Sequence, residues 1–588
     1  MAAAARREPP RVTIAWLPSS VSVAELAKAG FSPGLMSAGL GTVPAQQTYL
    51  DVGQGNRVFD SLYDEPLPSL YRNCYRWERE VRKRAESAPA EIVPALLFST
   101  LRGNGVQFFS LGPWSCAFGA GPGGGFGGGN RGSFWAEPGS LALAAKLADE
   151  LRPGELLIAI ARPTGRDDDP LPIGIAGRGF DGDLTSDSTR TNGYVLSTDV
   201  APTILDRFGI DVPSEMSGQP IRSEGSVDPA AIETLGARMD VISQRRGPVI
   251  GYSLLIWLGL LGLAALLSRG ALARPGVRLV GLAVVYLPLV LLLGAALEPS
   301  ESAEAILVAA GAPVLAALTL ALLRGYRALA AAAALTVLAY AVDVIVGSPL
   351  TALSLLGPNP GLGVRFYGIG NELEALLGVL VVAGTGAGLA GFRPALSPSR
   401  RAVAFLAIGL CCAIVFAAGR FGADVGAAIV FPVGAAVAAA VTAGRGRRGL
   451  LLAIALPFAV LALLVLIDLV SGANAHLTRS VLDAGGLGAL GDVAQRRLQL
   501  SVHSFGRPVL LYLLPLVVAF AALAIWRREL LQAWLRGFPA VRAGLLGAVA
   551  ATAIGTLAND SGALLLVIGA AYLLVFVGYA WSESASNA

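Results

Sequence analysis

The chain has 588 residues, 54% of them hydrophobic, and its formal net charge at pH 7 is only +4. Almost all of the positive charge is arginine, because Lys28, Lys83 and Lys146 are the only lysines. This balance gives no indication of nucleic-acid binding, and the long apolar stretches in the second half instead predict an integral membrane protein.

The first 248 residues have the pattern of a soluble α/β domain. Residues 1–11 are rich in Ala, Arg and Pro and predict a flexible N-terminus. Strand-like runs alternate with helical patterns after them, which favours a largely parallel sheet over residues 12–227, followed by a connecting helix at 228–248. The strand-like runs are 12–17, 106–111, 156–160 and 173–176, and the helical patterns are 66–86, 139–151 and 199–208.

The most specific local pattern is GYVLSTDVAPTILDRFGIDVPSEMSGQPI at 193–221. Thr198 or Asp199 is placed to cap a helix, Pro202 suits its first turn, and Gly209 suits its end. The run resembles the closing segment of the alkaline phosphatase and sulfatase superfamily. Residues 48–57 fall where that superfamily places its nucleophile turn. The resemblance implies an alkaline phosphatase-like fold for the soluble domain.

Two-metal chemistry in that superfamily requires aspartates and histidines around a pair of divalent cations. The only histidines, His476 and His503, lie in the membrane half, and the expected ligand positions at the ends of two strands read Trp16-Leu17-Pro18 and Ala161-Arg162-Pro163. The resemblance therefore implies a degenerate relative without a metal centre, and we expect neither a metal nor a cofactor.

Three smaller features of the soluble domain leave alternatives open. Arg162, Arg178 and Arg190 are either anion contacts of a retained binding surface or solvated arginines. The run 167–169 (Asp-Asp-Asp) is either a calcium ligand set or a solvated turn. Cys74 and Cys116 could form a disulfide in an oxidising compartment, or remain free.

Eleven apolar stretches reach or approach the length needed to cross a bilayer. Arginines are concentrated in the loops after the first, third, fifth, seventh and ninth stretches, which predicts that these loops are cytoplasmic. The expected location is the plasma membrane, with the soluble domain extracytoplasmic and the tail 582–588 cytoplasmic. The stretches are 249–268, 279–297, 304–323, 328–347, 370–391, 402–418, 427–443, 450–470, 509–526, 543–557 and 563–581.

An exported domain is normally preceded by a signal peptide or an anchor, and residues 1–11 contain no apolar core of that kind. Two explanations are open. Either the true start of translation lies upstream, or the first apolar stretch draws the domain across the membrane.

Four of the spans that are predicted to run inward from the outer face are preceded by compact polar motifs, at 365–374, 419–424, 503–508 and 559–562. Free N–H groups at helix starts favour anions, and arginine adds bidentate hydrogen bonds to phosphate, so the motifs predict either an anion site or simple helix caps. Asn371 and Glu374 share a helix face while Glu372 points elsewhere. The predicted catalytic residues are Glu374, Asp424, His503 and Asp560, and the predicted substrate-binding residues are Arg365, Asn371, Arg420, Arg507, Asn559 and Ser561.

These residues favour a cell-envelope protein that handles an anionic lipid-linked substrate, such as a polyprenyl phosphate, at the outer leaflet. In general layout the chain is similar to the membrane enzymes that transfer sugars from polyprenyl diphosphates. A transporter or flippase is a second hypothesis, because the openings Arg365-Phe-Tyr-Gly and Arg420-Phe-Gly look like repeats. A third is a non-catalytic scaffold for other envelope proteins.

Overall fold

A computed structural model of the chain describes residues 10–69, 74–88, 90–118, 125–126, 131–167, 169–358, 360–363, 365–444, 446–471, 498–502, 504–506 and 508–584. Two units can be distinguished. The α/β unit consists of the chain up to Ser243 together with Asn359–Phe366. The helical unit consists of Gln244–Pro358 and the chain from Tyr367 onward.

The α/β unit contains a mixed sheet with helices on its connections. Its described strands are β1 (Arg11–Leu17), β2 (Ser32–Ser37), β3 (Val43–Pro44), β4 (Gln107–Ser110), β5 (Gly125–Phe126), β6 (Ser133–Pro138), β7 (Leu156–Ala161), β8 (Arg166–Asp167), β9 (Leu171–Gly177), β10 (Asp183–Ser186), β11 (Tyr194–Leu196) and β12 (Ile221–Glu224). Its described helices are α1 (Val23–Lys28), α2 (Ala45–Gln54), α3 (Cys74–Glu86), α4 (Leu96–Gly103), α5 (Leu141–Asp149), α6 (Val200–Arg207) and the first part of α7 (Pro229–Leu267).

Eight strands form the main sheet in the order β11-β2-β9-β7-β1-β6-β4-β5. β1 pairs in parallel with both β6 and β7, and nearly all of its residues are buried, as is usual for a strand covered on both faces. β9 is antiparallel to both of its neighbours, so the sheet is mixed and not largely parallel. The physical reason is the connection from β7 to β9, which has fewer than the dozen or so residues that a parallel crossover needs.

A disulfide joins Cys74 to Cys116, with their Cα atoms 4.9 Å apart. It ties the first residue of α3 to the turn 113–116, and both cysteines are buried in the core of the α/β unit. The structure thus forms the bridge that the sequence left open. Cys411 and Cys412 are free.

The helical unit continues α7 beyond Gln244, so the predicted connecting helix and first span belong to one helix, which contains Pro248. The other described helices are α8 (Ala273–Leu297), α9 (Glu301–Leu322), α10 (Tyr326–Ile345), α11 (Pro349–Leu353), α12 (Asn371–Phe392), α13 (Pro398–Ala417), α14 (Ala427–Ala443), α15 (Gly446–Ser471), α16 (Pro508–Trp526), α17 (Arg528–Trp534), α18 (Pro539–Ala558) and α19 (Gly562–Glu583).

Within the described part of the chain, eight helices are long and apolar enough to cross a membrane: α7, α8, α9, α10, α12, α13, α18 and α19. Three shorter apolar stretches, Ala427–Ala443, Leu451–Leu466 and Tyr512–Trp526, fall on three further predicted spans. A multi-pass membrane protein is therefore supported, with eight candidate spans among the described residues where the sequence predicted eleven.

Glycines bring α12, α14 and α18 into close backbone contact. A β-carbon on Gly386 would lie 2.6 Å from the carbonyl oxygen of Ala540, and one on Gly544 would lie 3.0 Å from that of Val382. One on Gly434 would lie 3.1 Å from the carbonyl oxygen of Gly547. Small residues allow membrane helices to approach in this way, and the close packing fixes where the ends of the three helices meet.

Candidate functional site

Three of the four predicted polar motifs come together at one end of the α12, α14 and α18 bundle. α12 and α14 begin there, α18 ends there, and α19 begins immediately afterwards. We call the residues that meet at this point the helix-end cluster, which consists of Asn371, Glu374, Asp424, Gly426, Asn559 and Asp560.

Glu374 is the centre of the helix-end cluster. It lies in the first turn of α12 and is fully buried. Its Oε1 atom accepts a 3.0 Å hydrogen bond from Nδ2 of Asn559, which is also buried. A β-carbon on Gly426 would overlap the Glu374 carboxylate, so only glycine leaves room for the acid at the start of α14.

Asp424 contacts the same glycine from the other side. Its Oδ1 atom accepts a 3.1 Å hydrogen bond from the backbone N–H of Gly426, and its side chain is buried. Gly426 therefore contacts two carboxyl groups. Its N–H donates a hydrogen bond to Asp424, and the absence of a side chain leaves room for the carboxylate of Glu374. The site consequently contains two buried acids close to the start of one helix, where the dipole favours negative charge.

A second, more exposed pair joins the same elements. Nδ2 of Asn371 donates a 2.8 Å hydrogen bond to Oδ1 of Asp560. Asn371 and Glu374 are three residues apart on α12 and both contact the chain that follows α18. Glu372 instead lies 3.6 Å from Arg246, so the expectation that only one of the two glutamates reaches the common site agrees with the geometry.

The capping hypothesis explains little of this arrangement. The N-cap residues of α12, α14 and α19 are Gly370, Gly426 and Ser561, and none of the three caps its helix through a side-chain hydrogen bond. Asn371, Asn559 and Asp560 bond to other side chains of the cluster. The polar residues at these helix ends thus build a network between helices, in addition to the local hydrogen bond from the N–H of Gly426 to Asp424.

The predicted arginines are distributed differently from the acids. Arg420 is exposed in the helical unit, and Arg365 belongs to the segment that forms part of the α/β unit. His503 and Arg507 lie outside the described residues. Ser501 and Ser504, which flank His503 in the sequence, bond to the carbonyl of Thr556 and the N–H of Ala563.

The two motifs that looked like repeats contact each other through their glycines. The N–H of Ile369 donates a 3.0 Å hydrogen bond to the carbonyl of Gly422. Gly368 has a φ of +74° and would collide with Gly422 if it carried a side chain. The equivalent glycines of the two motifs therefore pack backbone to backbone beside the helix-end cluster.

Two arginines of the helical unit were missed in the sequence. Arg245 bonds to the buried carboxylate of Glu304 at 3.0 Å, and Arg246 bonds to the carbonyl of Gly357 in addition to its contact with Glu372. Two consecutive arginines directly before an apolar stretch can be recognised in the sequence. Their acidic partners cannot, because they lie 59 and 126 residues further along the chain.

In the α/β unit, apolar rings occupy the carboxyl ends of the central strands, where the resemblance would place metal ligands. Trp16, Tyr49 and Trp114 have ring centroids 4.8–5.7 Å apart. The N–H and Nε of Arg162 both donate to the carbonyl of Leu17, across the ends of β7 and β1.

The remaining candidates of this unit have surface or structural positions. Arg162, Arg178 and Arg190 are all exposed, as expected of solvated arginines. Asp168 lies outside the described residues. Asp199, from the motif at 193–221, is fully buried and accepts hydrogen bonds from Ser186, Ser188 and two backbone N–H groups, so it anchors the fold.

Comparison of the chain with protein-family models, with curated proteins and with solved structures finds no match. The chemistry of the residues described above therefore carries the functional argument.

Proposed function

We propose that the chain is a multi-pass protein of the cell envelope that handles an anionic lipid-linked substrate at the outer leaflet, with the helix-end cluster as its reaction site. The observation that carries the proposal is the position of Glu374. A fully buried carboxylate, held by Asn559 and fitted against Gly426, lies in the first turn of an apolar helix. An ionisable group in such a place is costly, and function is the usual reason for keeping it.

In this proposal Glu374 is the general base. Asp424 and Asp560 keep the neighbouring residues Gly426 and Asn371 in place through hydrogen bonds. The carboxylate takes the proton of an acceptor hydroxyl, the hydroxyl oxygen forms a bond to the sugar or phosphoryl group, and the lipid phosphate leaves. Arg365, Arg420 and Arg507 supply positive charge for that phosphate, and Asn371, Asn559 and Ser561 orient the substrate. His503 is a second candidate for the base.

Two observations support an extracytoplasmic α/β unit. The Cys74–Cys116 disulfide is of a kind that persists in oxidising compartments. The arginine-rich loops alternate with arginine-poor ones along the predicted spans, which favours a cytoplasmic C-terminus. In this topology the three shorter apolar stretches complete the predicted set of eleven spans.

The α/β unit itself is proposed to be a degenerate alkaline phosphatase-like domain that serves for binding or docking. The mixed sheet with central parallel strands is compatible with such a fold. The aromatic rings of Trp16, Tyr49 and Trp114, together with Arg162, occupy the strand ends where that superfamily holds its metals. We therefore propose no phosphatase or sulfatase activity for it.

The second candidate function is a transporter or flippase for an anionic lipid or solute. It is favoured by the two buried acids of the helix-end cluster, Glu374 and Asp424, since carboxyl groups can also carry protons. The described buried acids of the cluster lie at one end of the bundle. Near the opposite end of α19, Glu583 is paired with Arg278 at 2.8 Å. A site at one face suits a reaction on one leaflet better than a path across the membrane.

The deciding experiment uses the full-length protein in nanodiscs formed from its native membrane. Native mass spectrometry of the wild type is expected to identify a bound anionic lipid of the polyprenyl phosphate kind, and incubation with a hydroxyl-bearing acceptor is expected to yield a covalently altered lipid. Glu374→Gln should abolish the altered product, whereas the matched control Glu372→Gln should retain it.

The same preparation separates the alternatives. An unaltered lipid that moves between leaflets of proteoliposomes would indicate a transporter. A wild type that holds only neutral phospholipid, and forms no product, would indicate a scaffold and would contradict the proposal. Loss of product in Arg365→Ala or Arg420→Ala, with unchanged membrane insertion, would support phosphate binding by these residues.

A further inference from the structure

The segment Asn359–Phe366, which we call the strap, lies between two helices of the helical unit in the sequence but belongs to the α/β unit in the structure. It leads directly into α12, which begins at Asn371. The question is what holds the strap in place and what its position determines.

Arg57 binds the strap most directly. One of its terminal nitrogens donates a 2.6 Å hydrogen bond to the carbonyl of Gly363. The other donates to Oγ of Ser37 at 2.7 Å and to the carbonyl of Gly39 at 2.9 Å. The planar guanidinium thus joins the strap to the loop after β2 with hydrogen bonds from a charged donor, which are stronger than neutral ones.

Three described residues of the strap are fitted closely to the same unit. Gly363 has a φ of +67°, and a side chain at this position would collide with the carbonyl of Gly39. A β-carbon on Gly361 would lie 2.7 Å from the carbonyl of Met239. The ring of Phe366 packs 5.1 Å from that of Tyr194 and is buried.

The chain is held again just beyond the strap, this time within the helical unit. The N–H of Gly368 donates to Oγ of Ser348 at 2.9 Å, and the N–H of Ile369 donates to Gly422. Only residues 364–367 separate Gly363 from this second anchor. The Cα atoms of Gly363 and Gly368 are therefore at most about 18 Å apart, because each residue spans at most about 3.5 Å.

We propose that Arg57 is a positioning residue: by holding Gly363 it fixes the chain that enters α12 and thereby the places of Asn371 and Glu374. The importance of this position for a reaction rests on the proposed function. The claim that Arg57 holds the chain before α12 does not depend on it.

The test is hydrogen exchange of the full-length protein in nanodiscs, without added substrate. Arg57→Ala is expected to raise exchange about tenfold or more in peptides that cover residues 360–376, because charge-assisted hydrogen bonds are lost. Arg57→Lys should restore part of the protection. The control is Arg82→Ala, which removes an arginine from an exposed ion pair with Glu78 on α3 and should leave these peptides unchanged.

A second variant protects the test against simple misfolding. Gly363→Ala disturbs the strap from its own side and should raise exchange in the same peptides, while β1 and β7 remain protected. If β1 and β7 stay protected in both variants and exchange at 360–376 does not rise, the proposal is wrong. If Arg57→Ala also raises hydrogen exchange in β1 and β7, the variant is misfolded. The exchange of residues 360–376 in Gly363→Ala then decides the test.

Lipid binding separates this inference from the proposed function. Both strap variants should lower the fraction of protein with bound lipid, whereas Glu374→Gln should leave exchange of the strap unchanged. If exchange of the strap rises while lipid binding is unchanged, Arg57 holds the strap but does not act on the proposed site.

Discussion

Asn559 and Glu374, which are 185 residues apart in the sequence, are joined by a hydrogen bond of 3.0 Å between Nδ2 and Oε1. Both side chains are buried, so the bond lies where the dielectric constant is low and its loss is costly. It connects the first turn of α12 to the turn between α18 and α19. The helix-end cluster thus stabilises the contact between α12 and the turn after α18, in addition to being the candidate reaction site.

Asn559→Ala is expected to destabilise the helical unit by about 1–3 kcal/mol, because a buried hydrogen bond to Glu374 is removed. The matched control is Asn371→Ala, which breaks the more exposed bond to Asp560 and should cost less than about 1 kcal/mol. Thermal unfolding in detergent measures both. Equal losses of melting temperature would contradict the assignment of Glu374 as the buried centre.

Gly426→Ala tests the space beside the same carboxylate. The added β-carbon would overlap Glu374, so the acid or the start of α14 must shift, and we expect lower stability together with loss of any lipid product. Gly259→Ala is the control, since a β-carbon there meets nothing within 4 Å. A variant at Gly426 that melts and functions like the wild type would show that the contact is not needed.

Removal of the Cys74–Cys116 bridge should destabilise the α/β unit by about 2–4 kcal/mol, since the bond closes a long loop of the unfolded chain. Hydrogen exchange of α3 and of the turn 113–116 in the double serine variant should rise to the level seen in the reduced wild type. The double variant Cys411→Ser and Cys412→Ser should exchange like the wild type. In intact cells, a membrane-impermeant thiol reagent should label Cys74 only after reduction.

Asp51 predicts a pH dependence for the α/β unit. Burial raises the pKa of this carboxyl to about 7, although hydrogen bonds from Gln47 and Gln54 and the charges of Arg57 and Arg84 oppose the rise. The folded state then binds the proton more tightly than the unfolded state. The free energy of unfolding should therefore fall as the pH rises from about 4 to about 7, by about 1.4 kcal/mol for each pKa unit of difference.

Asp51→Asn should remove this dependence and make the unit more stable than the wild type above pH 7. Exchange of β1 and β7 at pH 5 and pH 8 measures the difference, with the exposed Asp211→Asn as the control. A wild type whose protection of these strands is the same at both pH values would contradict the prediction.

Part of the fold could be predicted from local pattern. Apolar length predicted the long helices, short apolar runs predicted β1 and β7, and the spacing of Asn371 and Glu374 predicted their shared face. Local pattern did not predict the direction of β9, which depends on the length of a connection, or the partners Asn559 and Gly426, which depend on helix packing. Local pattern also does not indicate that the segment containing Arg365 belongs to the α/β unit.

The strap also has a consequence for how the protein is made. Gly363 is synthesised after the four apolar helices α7 to α10, so the hydrogen bond from Arg57 to Gly363 can form only after these helices have been translated. A chain that ends before Gly363 would therefore lack this contact, although all twelve described strands of the α/β unit would already be present.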